Sequence, residues 1–142
     1  MTYRFLSPRD LTPTEETDPN RIDAVQAQIL NAGRWTVPIL VEKSALFVMD
    51  GHHRLAVALR LGLEAIPSLL LDYRDVRVEA WRADETITPE QIFAMAKSGR
   101  KFPIKTTRHF YSGDFPKCEV SLDELRHRTV RQPVEISKRR AG

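Results

Sequence analysis

The chain has 142 residues, and its 22 basic and 19 acidic side chains leave a formal net charge of +3, too small to be a nucleic-acid signature by itself. A hydrophobic content of 42% with 29% charged residues excludes a disordered chain and predicts one domain with a real core over residues 1–130. The single cysteine, Cys118, excludes an intrachain disulfide framework, and no apolar run reaches the roughly 18 residues of a membrane span. MTYRFLSPRD lacks a signal-peptide apolar region, so a cytoplasmic location is expected.

In chain order, Tyr3 to Leu6 reads as a strand and Ser7 to Asp18 as a loop rich in Pro, Thr and acid. Asp18 and Pro19 form an N-cap and first helical position, Ile22, Val25, Ile29 and Leu30 share a face, and Gly33 closes the helix. Val37 to Glu42 and Ala45 to Met49 are apolar runs around Lys43-Ser44, which predicts a hairpin. A helix then runs from His52 to Gly62, followed by a buried strand at Ser68 to Asp72 and a half-buried one at Val76 to Ala80. Thr88-Pro89-Glu90-Gln91 is a capping box opening a helix that Gly99 ends. RKFPIKTTRHFYSGDF reads as a basic, aromatic loop, and Ser121 to Glu124 as a second capping box before a short helix to about His127. An extended arm follows, with 131–142 expected as an extended or disordered basic tail. The elements predict an α/β (α+β) fold, a small mixed sheet with flanking helices.

The chain is organised around ALFVMDGHHRLAVALRLGL, where a strand hands over to a helix at Asp50-Gly51-His52-His53-Arg54. A helix N-terminus exposes unpaired N–H groups and a positive dipole end, a natural seat for phosphate or carboxylate. Gly51 frees the turn, Arg54 offers a fork to the same anion, and His52 and His53 can donate to phosphate oxygens. Adjacent helical residues do not face one another, and no third His or Cys stands at ligand spacing, so a transition-metal site is disfavoured.

VMDGHHRLAVALRLGLEAIPSLLLDY resembles the core of the ParB/sulfiredoxin-like superfamily. With PILV before it and Lys105-Thr106-Thr107-Arg108-His109 after it, the chain most resembles the branch of the free L-serine kinases, from about Leu11 to His109. The resemblance implies a kinase that uses ATP or ADP with Mg²⁺ to phosphorylate the hydroxyl of free L-serine. It aligns Glu15 with the family's catalytic base and leaves Glu16 as the competing carboxylate, Thr14 standing where the family often has His. By residues alone, two acids before a helix are more simply solvated. It gives Asp50 a catalytic role, with Mg²⁺ held through water. Thr106, Thr107, Arg108 and His109 would hold the amino-acid carboxylate or the transferred phosphate, and Trp81 would line the site.

Two rivals stand beside this reading. One is a ParB-like switch that binds CTP or ATP, or a DNA-associated module, without kinase activity; no helix-turn-helix pattern follows His109. The other is a sulfiredoxin-like reductase, whose polar turn needs a Cys where this chain has His. The sequence is silent on oligomeric state.

Overall fold

The computed structural model describes residues 3–130. The tail expected at 131–142 lies outside the described residues.

Four strands form the central sheet: β1 (Arg4–Leu6), β3 (Ile39–Glu42), β4 (Val48–Asp50) and β5 (Ile66–Leu71), in the order β1-β5-β3-β4. β3 runs parallel to β5 and antiparallel to β4, and β1 is antiparallel to β5. This is the mixed sheet that the patterning predicts. The predicted hairpin is present, and the buried Glu42 closes its turn by accepting from the Ser44 and Ala45 N–H groups and the Ser44 hydroxyl. β3 is buried at every residue, as its unbroken apolar run requires.

Two cores follow from strand alternation. Ile39, Val41, Val48 and Ile66 face one core, closed by Leu55 and Ala58 of α2 (His52–Arg60) and Leu122 and Leu125 of α4 (Leu122–His127). Leu40, Met49, Leu69 and Leu71 face the other, closed by Ile92 of α3 (Pro89–Ser98). α1 (Pro19–Ala32) packs on α2 through Ile22, Val25 and Val57.

The predicted caps are observed. Asp18 accepts from the Asn20 N–H, Thr88 and Gln91 form a complete capping box, and Gly33 and Gly99 end their helices in the left-handed region. The predicted second box is only half formed: Ser121 accepts from the Glu124 N–H, while the Glu124 carboxylate accepts from Arg128 at 2.8 Å instead of reaching back to the cap.

Three local expectations change. Thr107–Tyr111, read as loop, is strand β7, antiparallel to β6 (Val76–Ala80). Its Thr, Phe and Tyr suit a pleated surface, but the charges between them mask the alternation. A short ribbon, β2 (Arg34–Trp35) with β8 (Val120–Ser121), joins the end of α1 to the start of α4 and was not expected. The acidic loop is extended across 12–16 and paired on two sides. Thr12 N–H donates to the Leu46 carbonyl, Val48 N–H to Thr12, Phe102 N–H to Thr14, and Glu16 N–H to Phe102. Pro and Thr disguise this segment as loop, because its partners are distant in sequence.

Candidate active site

A cavity of about 700 Å³ opens where β4 meets α2. α2 has no side-chain cap; its N-cap is Gly51. Gly51 has φ +113°, and a Cβ there would lie 2.5 Å from Ile39 Cγ2, so glycine is required both for the turn and for the close approach. The first N–H groups of α2 therefore face the cavity without a capping side chain, as an anion seat needs.

The side chains of the motif turn elsewhere. Arg54 donates through Nη1 to the carbonyls of Val37 (2.6 Å) and Pro38 (3.2 Å), with Nη2 at 3.8 Å from Asp50. His52 Nε2 accepts from the Thr14 N–H at 3.1 Å, and the Thr14 hydroxyl lies 3.3 Å from the same nitrogen. His53 Nε2 accepts from the Asp18 N–H at 3.1 Å. A nitrogen that accepts from an N–H carries no proton, so both rings are neutral with the proton on Nδ1. Burial holds His52 at about 3; the Lys101 charge acts in the same sense, as would a proton on His109 or His53. Burial also lowers His53, with Arg21 in the same sense and Asp18 opposed. Asp50, at the end of β4, keeps its carboxylate 59% exposed at the cavity.

On the facing side, Glu15 is 8% exposed and held by the turn before β7. Thr106 N–H donates to Oε1 at 2.5 Å and the Thr107 hydroxyl to Oε2 at 3.1 Å. Lys105, with φ +57°, bends the backbone into this cradle. Burial raises the Glu15 pKa above the usual carboxylate range, against the hydrogen bonds from Thr106 and Thr107. Glu16, the next residue, is exposed and also lines the cavity.

Trp81, 48% exposed, carries the Arg108 guanidinium 4.3 Å from its ring centroid, and Lys105 Nζ lies 6.0 Å away. His109 Nε2 is 2.9 Å from the Tyr73 hydroxyl, and burial pushes its ring down to about 4.

The cavity thus collects every residue singled out from the sequence except Thr106. Its hydroxyl donates to the Pro103 carbonyl at 2.7 Å, so only its backbone serves the site, through Glu15. Sequence reasoning missed Arg21, Val25 and Gln28, which α1 brings to the rim, and Tyr73 behind His109. The helical period of α1 is the signal that could have found Arg21, Val25 and Gln28, since they recur at three- and four-residue steps. Nothing local marks Tyr73.

Among the described residues no three His, Cys, Asp or Glu side chains gather as a metal cage. Asp50 beside an anion seat suits Mg²⁺, which takes most of its ligands from water and phosphate and needs one or two carboxylates.

No family model matches the chain. Over 86 residues it is 33% identical to a ParB-like protein of Sulfolobus acidocaldarius, covering 61% of this chain and 43% of that protein. Over 77 residues it is 34% identical to an ATP-dependent L-serine kinase of Staphylothermus marinus, covering 50% of this chain and 31% of that one. The structure of a free serine kinase in complex with AMP superposes with a TM-score of 0.81 at 18% identity, over 88% of this chain and 94% of that one.

The fold is a mixed α/β one shared with that free serine kinase structure, as the resemblance to ParB/sulfiredoxin-like proteins led one to expect. Over part of its length the chain is similar to ParB-like proteins and to L-serine kinases alike, in line with the DGHHR and TTRH strings. It spans less than half the length of these two curated relatives. Among the described residues no helix is long and apolar enough to cross a membrane.

Proposed function

We propose that this ParB/sulfiredoxin-like chain is a nucleotide-dependent kinase that phosphorylates the hydroxyl of free L-serine, with ATP or ADP as donor. The observation that carries this reading is the meeting of opposites in one cavity. A helix N-terminus without a side-chain cap faces a buried carboxylate whose basicity burial has raised. A phosphoryl transfer to an alcohol needs both, an anion seat and a proton acceptor. The similarity to L-serine kinases supports the choice of substrate class.

In this reading the N–H groups of α2 take the donor's phosphates. Asp50 would hold Mg²⁺, largely through water, and the ion would offset phosphate charge. Glu15 accepts the hydroxyl proton as the serine oxygen bonds to phosphorus and the bond to the leaving phosphate breaks. Thr106 and Thr107 fix the Glu15 carboxylate, so little reorganisation accompanies the step. Arg108, held over the Trp81 ring, and His109 take the amino-acid carboxylate or the transferring charge.

The test is phosphorus NMR with Mg²⁺, L-serine and ATP or ADP in separate tubes. An O-phosphoserine signal that Glu15→Ala abolishes and Glu16→Ala keeps supports the kinase and the choice of base. Loss in Glu16→Ala alone moves the base by one residue. No product with any donor, in folded protein, rejects the kinase, and CTP binding would then favour a ParB-like switch.

A further inference from the structure

His52 and His53 sit in the first turn of the phosphate-seating helix, yet each Nε2 faces the backbone of another segment. The extended segment 12–16 changes partners at Thr14. Before it, Thr12 pairs with the Leu46–Val48 backbone; after it, Glu16 pairs with Phe102. Thr14 is 1% exposed, and its N–H falls between those partners with no carbonyl to receive it. A buried N–H left unpaired is costly, and His52 Nε2 supplies the acceptor at 3.1 Å. His53 does the same four residues on, at the Asp18 N–H. The acidic stretch is therefore clasped at both ends to the turn that seats phosphate.

We infer that His52 is a positioning residue. By accepting the Thr14 N–H, it sets the backbone one residue before Glu15 and so fixes where that carboxylate stands relative to the N-terminus of α2. This rests on the kinase reading. The ring acts through backbone; it does not have to touch nucleotide or serine.

Two substitutions separate this role from ligand contact. A glutamine amide oxygen reaches about as far as Nε2, whereas an asparagine amide stops near Nδ1. His52→Gln is expected to keep kcat within about threefold, and His52→Asn to lower it by about a hundredfold, with KM for nucleotide unchanged in both. In a Glu15→Gln background, His52→Asn should cost less than about threefold more, because residues acting as one unit are not additive. Equal loss in both variants, a rise in KM with kcat intact, or full multiplication onto Glu15→Gln would overturn the inference.

If the unaltered protein makes no O-phosphoserine, the kinase reading falls on its own. The contact is then read by amide exchange at Thr14. Slow exchange in the unaltered protein and His52→Gln, with fast exchange in His52→Asn, would support the clasp. Equal exchange in all three would reject it.

Discussion

Two histidine- and arginine-bearing strings, Asp50–Arg54 and Thr106–His109, meet across one cavity and work in opposite ways. In the first, His52, His53 and Arg54 bind backbone groups of other segments, and what faces the cavity unpaired is the main chain of α2. In the second, the main chain is paired with β6 and with Glu15, and what faces the cavity is the Arg108 side chain on Trp81. Apart from the Asp50 carboxylate, one motif presents backbone and the other presents side chains. Polar letters in a sequence do not say which, because the difference is made by partners far along the chain.

That contrast can be broken at four points, from the largest expected effect to the smallest. Glu15→Gln should lower kcat for O-phosphoserine formation by about 10²–10⁴-fold, the usual worth of a general base, with Glu16→Gln close to unaltered. Comparable loss in both would mean that the cavity, and not the cradled carboxylate, sets the rate.

The second point is acid sensitivity. His52 and His109 are held at about 3 and about 4 in the folded state, below the ordinary histidine value of 6.5. Above about pH 7 both rings are neutral whether folded or not, and nothing is lost. As pH falls through 6.5 the unfolded chain takes up protons first, so stability should drop by about 2 kcal/mol for each ring by pH 5. Glu15 has the opposite sign: burial raises its pKa, so the folded state takes up that proton before the unfolded chain does, which works against the loss. Urea midpoints measured from pH 8 to 5 would reveal the slope. A flat profile would mean that the rings are not buried as neutral acceptors.

Third, Gly51→Ala should destabilise by about 2–4 kcal/mol, from the strain of a positive φ and the overlap with Ile39, read as a lower urea midpoint at an unchanged slope. A smaller loss would show that the turn relaxes.

Fourth, Arg54→Met and Arg108→Met should divide cleanly. The Arg54 change leaves the Val37 and Pro38 carbonyls short of a donor and should cost about 1–3 kcal/mol of stability. The Arg108 change, on an exposed side chain, should leave stability within about 0.5 kcal/mol and raise KM for the carboxylate-bearing substrate. The reverse pattern would exchange the roles of the two motifs.

Much of the fold was legible because its signals are local. Asp18-Pro19, Gly33, Thr88 to Gln91 and Gly99 punctuate the helices by side-chain and backbone chemistry within a few residues. The unbroken run at β3 announced a strand covered on both faces. The turn at Gly51 was legible for the same reason. The Arg34–Trp35 ribbon, the pairing of segment 12–16 and the strand at Thr107–Tyr111 were not, since each is defined by a partner that no neighbouring residue names. For the site, the resemblance pointed to residues that line one cavity, but only the geometry separates Thr106, whose backbone N–H reaches Glu15, from Thr107, whose hydroxyl does.

The cradle of Glu15 has a consequence for how the chain matures. Its donors lie 91 and 92 positions away in sequence. A chain emerging from the ribosome can pair β3 with β4 and form α2 long before those donors exist, so in the kinase reading the anion seat would precede the base. Until the β7 strand docks, such a nascent chain would hold nucleotide without a fixed proton acceptor. Phosphoryl transfer would therefore report a completed fold, and nucleotide binding only a partial one.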